Sequence, residues 1–125
     1  MTAESLGIID NAMAELGIEY SYIEYDGKSE HYFTGEYQET PQANEDGLQD
    51  NTFILNGFSR TTWEALESAK AKIKNKFHPS TGLIVTTESG HVVAIFYEQS
   101  LVVPTGDAEL KRIQINLSVK EWSVN

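Results

Sequence analysis

The stretch TTWEALESAKAKIKNKF, residues 61–77, decides how the chain folds. Trp63, Leu66, Ala69, Ile73 and Phe77 recur at helical spacing, so a helix over 61–77 carries one apolar stripe and is polar elsewhere. Thr61 followed three residues later by Glu64 reads as a capping box, in which two side chains satisfy amides that a helix start leaves unpaired. Lys70, Lys72, Lys74 and Lys76 crowd the C-terminal half, where positive charge suits the helix dipole, and His78-Pro79 ends the helix. Trp63, Leu66, Ile73 and Phe77 are therefore expected in the core, each contributing roughly 1.5–3 kcal/mol on burial. A helix with a single stripe needs a surface to cover, and the flanking sequence supplies it as strands.

Upstream, Leu6, Ile9, Met13 and Leu16 predict a short helix over 4–16, ended by Gly17. Residues 18–25 are strand-like, Asp26-Gly27 is a turn dipeptide, and 31–37 is aromatic and strand-like, which together predict a tyrosine-rich hairpin. Residues 40–51 hold Pro41, Asn44, Glu45, Asp46, Gly47 and Asp50 around one large apolar residue, Leu48, and predict an exposed acidic loop. In 52–58, Phe53 and Leu55 face one way and Ile54 and Phe58 the other, as in a strand inside a sheet.

Downstream of the helix, 83–87 and 91–97 flank the turn Glu88-Ser89-Gly90, 99–107 reads as a loop, and 108–124 as a last strand. There Ile113, Ile115, Leu117 and Val119 alternate with Arg112, Gln114, Asn116, Ser118 and Lys120, which adds Ile113, Ile115 and Leu117 to the expected core. Trp122 and Val124 fall on the polar side, and this predicts a bulge near Glu121. The order α-β-β-β-α-β-β-β with short connections predicts an α+β fold. It would be a single domain over 1–125, with an antiparallel or mixed sheet and two helices packed on one face.

At 125 residues and without cysteine, the chain is the size of one domain and has neither a disulfide framework nor a thiolate metal site. No run approaches the apolar length of a membrane span, and Met1-Thr2-Ala3-Glu4-Ser5 has no signal-peptide character, so a cytoplasmic site of synthesis is expected. The net charge of −10 is unevenly spread: residues 1–59 hold twelve Asp and Glu against one Lys, a net −11, and residues 60–125 hold eight Lys and Arg against seven acids, a net +1. Nucleic-acid binders concentrate bases to neutralise phosphate, so specific nucleic-acid binding is disfavoured.

No GxGxxG, Walker, GxSxG or HExxH motif is present. The sequence around Asn44-Glu45-Asp46-Gly47 superficially suggests a calcium loop, but it would place Gln42 first and Phe53 twelfth, where Asp and a bidentate Glu are required. His31, His78 and His91 lack i, i+4 partners for zinc. The six tyrosines fit a cross-strand core or a protein interface. No enzyme, cofactor or metal is expected, and the chemistry points to protein binding.

The order of segments resembles the tail terminator and minor tail (neck) protein family of long-tailed bacteriophages and prophages. The likeness runs through an N-terminal helix, the hairpin around Tyr25-Asp26-Gly27-Lys28, the acidic loop ending in Asp46-Gly47, the strand Phe53-Ile54-Leu55-Asn56-Gly57, and the capped helix near Trp63. It closes on Pro104-Thr105-Gly106-Asp107-Ala108-Glu109-Leu110-Lys111-Arg112-Ile113-Gln114-Ile115-Asn116-Leu117. The resemblance implies a virion protein of the tail or neck, made in the bacterial host cytoplasm. Its subunits would form a ring, commonly a hexamer, on the tail tube, end tube polymerisation and dock to the head-completion or connector protein. Self, the tube protein and the connector are then the expected partners, with no cofactor and no reaction. Glu45, Asp46 and Asp50 in the acidic loop, and Lys70 and Lys74 on the helix, are the expected interface, since a ring-former needs two unlike faces. An acidic inhibitor or immunity-type protein that masks a basic toxin or nuclease surface explains the charge equally well, but not the segment order.

Overall fold

The computed structural model describes residues 1–39 and 48–122. Its elements follow the expected order: α1 (Ala3–Glu15), β1 (Tyr20–Tyr22), β2 (His31–Glu39), β3 (Leu48–Ser59), α2 (Trp63–Lys76), β4 (Leu83–Thr86), β5 (Val92–Val102) and β6 (Lys111–Trp122). The six strands form one mixed sheet in the order β1-β2-β3-β6-β5-β4, so the fold is α+β. Its centre is the antiparallel pair β3 and β6, in register from Leu48↔Trp122 to Ser59↔Lys111.

One face of the sheet is apolar because the residues alternate. Phe33 on β2, Phe53 and Leu55 on β3, Ile113, Ile115, Leu117 and Val119 on β6, and Val93 and Ile95 on β5 form a single inward row. Ile9, Ala12 and Met13 of α1, and Leu66, Ile73 and Phe77 of α2 and its C-cap, join that row in one core cluster. Two glycines let the rings lie flat. A Cβ on Gly35 would meet the Phe53 ring at 2.5 Å, and one on Gly57 would meet the Phe33 ring at 2.5 Å.

Several local expectations are corrected. Trp63 is not in the core: it is the first residue of α2, a turn ahead of the part that crosses the sheet, and it stays 40% exposed. The cap is Thr62 rather than Thr61. Its side chain accepts from Ala65 N at 3.2 Å, and an alanine there cannot reciprocate as a capping box requires. The tyrosine hairpin does not form. β1 pairs with β2 in parallel, with Tyr20↔Phe33 and Tyr22↔Gly35. A three-residue strand is only about 10 Å long, short enough for residues 23–30 to carry the chain back to its start.

Residues 48–51, expected in the acidic loop, are the beginning of β3, while 40–47 lie outside the described residues. β5 runs on to Val102 through the first part of the expected 99–107 loop, because it keeps β6 as a partner. The bulge lies in β5 between Tyr97 and Gln99, not in β6. β6 alternates without a break, so Glu121 continues the inward row and is buried.

Candidate functional site

Among the described residues, three clusters hold residue types capable of chemistry, and bonds that build the fold occupy each. The buried Ser59 hydroxyl accepts from Thr61 N and Thr62 N, both at 3.2 Å, and lies 2.8 Å from His31 Nδ1. A hydroxyl that takes two amides at a helix start is a structural cap rather than a nucleophile. At the β4–β5 turn, Ser89 Oγ donates to the Glu4 carboxylate and lies 2.7 Å from His91 Nδ1. A hydrolytic triad needs the histidine between serine and acid, and here the serine stands between them. That cluster ties the turn to the first turn of α1, and the Ser89 hydrogen bond holds the Glu4 carboxyl below its ordinary pKa.

Glu121 is the third. Its Oε2 accepts from Thr2 N at 3.1 Å, from Thr2 Oγ1 at 2.9 Å and from Ser5 Oγ, while Oε1 accepts from Asn51 Nδ2 at 2.7 Å. Burial pushes this carboxyl up, but the hydrogen bonds from Ser5 and Thr2 outweigh it and leave the pKa below the ordinary value. Negative charge at the start of α1 also suits the helix dipole. Among the described residues, no group of three or more His, Asp or Glu converges as a metal ion would require.

The expected interface residues are scattered. Asp50 sits on the sheet face away from the helices, 3.9 Å from Lys120 Nζ, its cross-strand partner. Lys70 pairs with Glu67 at 2.6 Å and Lys74 Nζ lies 5.5 Å from the centre of the Tyr97 ring, both on the helix side. Glu45 and Asp46 fall outside the described residues. Asp50 and the two lysines thus present charge on opposite sides of the sheet, each already partnered within the chain. Exposed pairs of this kind are worth about 0–1 kcal/mol, so a partner exchanges them at little cost.

The face away from the helices is closed by its own contacts. Tyr25 stacks on Tyr32 at 4.3 Å, Tyr32 on Phe58 at 5.1 Å, and the Arg112 guanidinium lies 5.6 Å from the Phe58 ring centre. Asn56 bridges the row, donating to Glu36 at 3.2 Å and accepting from Arg112 at 2.8 Å.

Exposed apolar surface gathers instead at two edges. Among the described residues, Tyr22 is 44% and Ile23 52% exposed at the β1 edge, and at the opposite margin Ile84 is 62% exposed on β4 and Leu101 44% and Val102 57% at the end of β5, near Trp63. Ile23 has φ +68, an unusual conformation for a β-branched residue. It is fixed there by Ile23 N donating to Gly35 O and Glu24 N donating to Tyr22 O, both at 2.8 Å. At the other edge Trp63, Val102, Pro104, Leu110 and Lys111 line a groove of about 410 Å³. Periodicity placed Trp63 in the core, and no sequence signal singles out Ile23, since its conformation follows from the parallel pairing.

No protein-family model matches the sequence, and no curated protein matches it. In three dimensions the chain is similar to a chain in the structure described as "Virion of native gene transfer agent (GTA) particle". The TM-score is 0.66 at 11% identity, over 90% of this chain and 84% of that one, a likeness of fold.

Proposed function

We propose that this chain is a non-enzymatic structural protein of a phage-type virion, and more narrowly a tail terminator. In this reading it forms a ring on the tail tube, ends tube polymerisation and offers a docking surface to the head connector. The observation that carries the proposal is the fold likeness to a chain of a gene transfer agent virion along nearly the whole length. The geometry supports it from the other side. The serine–histidine and carboxylate clusters are consumed in capping and anchoring, whereas unlike apolar surfaces are left free at the two sheet edges. The test is to add the purified protein to polymerising tail-tube protein and image the products. The proposal expects shortened tubes with a ring at one end; unchanged tube lengths with bare ends would sink it.

A further inference from the structure

We propose that the Tyr22–Ile23 turn of one copy seats in the Trp63 groove of the next, joining copies of this chain head to tail. The contact rests on the ring reading above and names the surfaces that would close the ring. Three independent observations lead to it. First, of the six large apolar side chains exposed among the described residues, Tyr22 and Ile23 lie at one edge and Trp63, Leu101 and Val102 at the other, with Ile84 apart on β4. Second, Ile23 combines a left-handed backbone with a half-exposed side chain. Two backbone hydrogen bonds hold Ile23 at φ +68, yet its β-branched side chain stays half exposed, so the monomer does not use that side chain fully in its own packing. Strain at an exposed apolar tip is explained if the tip is made for a partner.

Third, charge selects the partner. β1, β2 and β3 come from the half that carries −11, and α2, β4, β5 and β6 from the half that carries +1. Glu4 and Glu15 of α1 lie against the second half, bonded to Ser89 and Lys76, but residues 18–39 and 48–59 still hold seven Asp and Glu against Lys28, so among the described residues the β1 side of the sheet is the acidic one. Two β1 edges, each flanked by Glu24, Asp26 and Glu36, repel one another, while the groove lining carries one acid, Asp107, and one base, Lys111, and so no net charge. A symmetric pairing of like edges is disfavoured and an acidic-to-mixed pairing is left. Within one copy the two edges are separated by β2, β3 and β6, roughly 19 Å at ordinary strand spacing, so the turn cannot fill its own groove. Unlike surfaces that meet only between copies generate a ring or an open filament.

The chain has no cysteine, which makes the contact directly testable. Ile23→Cys and Val102→Cys are made separately, checked for wild-type melting, and oxidised at high concentration alone and mixed. The mixture is expected to give a disulfide-linked dimer in large excess over either variant alone, and the double variant a ladder of higher species. Adding Trp63→Asp to the Val102→Cys chain is expected to abolish most of the mixed dimer. Equal yields from the mixture and from the single variants, or a yield indifferent to Trp63→Asp, overturn the contact. Rings on tail tubes without the mixed disulfide leave the ring reading standing and remove this interface. A ladder without rings does the reverse.

Discussion

Divided after Ser59, the described chain falls into two halves of the same plan, one helix followed by three strands, set back to back about the β3–β6 pair. The halves are alike where they meet and unlike where they end. At the seam both contribute twelve-residue strands in full register, with Phe53 and Leu55 facing Leu117 and Ile115 on the inward side. At the outside, the first half ends in a three-residue parallel strand with a strained turn, and the second in a regular four-residue antiparallel β4 beside the uncovered end of β5. The difference separates two jobs. Stability is concentrated in the shared centre, and the margins, which the core does not constrain, carry the features that distinguish one edge from the other.

The largest effect expected from this division lies at the seam. Leu55 is fully buried opposite Ile115, and Leu55→Ala is expected to cost roughly 2–5 kcal/mol, read as a lower denaturation midpoint. A cost no larger than that of an edge substitution would break the comparison. Next comes Glu121, also on the seam. Glu121→Gln is expected to cost about 1–3 kcal/mol at neutral pH, because the Thr2, Ser5 and Asn51 donors lose a charged acceptor. The folded-state pKa of Glu121 lies below its unfolded value. Its stabilisation is therefore complete above the unfolded value and lost as pH falls through the folded one. Stability measured from neutral to acidic pH should show wild type and variant converging in acid; parallel curves would remove Glu121 from the acid response.

At the margins the expected effects are smaller, and one reverses sign. Ile23→Gly relieves the left-handed backbone and is expected to raise stability by about 1 kcal/mol in thermal unfolding. A destabilised variant would mean that Ile23 contributes more packing than its exposure shows. Trp63→Ala, despite the size of the side chain, is expected to cost less than about 1 kcal/mol, because the ring lies at the surface beyond the stripe that crosses the sheet. A loss comparable to that of Leu55→Ala would return Trp63 to the core and merge margin with centre.

What the sequence reveals follows the same division. Leu66, Ile73 and Phe77 on one helical stripe, and Ile113, Ile115 and Leu117 on one strand face, are legible because burial there repeats with the period of the element. The periodicity does not say where along its length a helix meets the sheet, and Trp63 fits the stripe while standing ahead of the contact. Glu121 fits the inward row of β6, so a signal was present. Its charge argued against burial, and what makes burial tolerable, Thr2, Ser5 and Asn51, comes from distant parts of the chain. The parallel β1 pairing left no local trace, since Asp26-Gly27 suits a hairpin and the strand direction is set by the return of residues 23–30. The paired edges that form the candidate contact were likewise invisible, because exposure at Val102 and strain at Ile23 exist only once the sheet has an order.

The sheet order also has a consequence for the birth of the chain. β3 finds its central partner only when β6 has emerged from the ribosome, after residues 60–110 have been made. At usual rates of translation that is a wait of ~3–10 s. Throughout it, one side of a twelve-residue strand holding Phe53, Ile54, Leu55 and Phe58 has no neighbour. Such a strand is the part of a nascent polypeptide most prone to pair with a foreign one. The interval between β3 and β6 is thus the window in which the emerging chain is most exposed to wrong pairing, and slow codons placed within it are expected to lower soluble yield without altering one residue of the product.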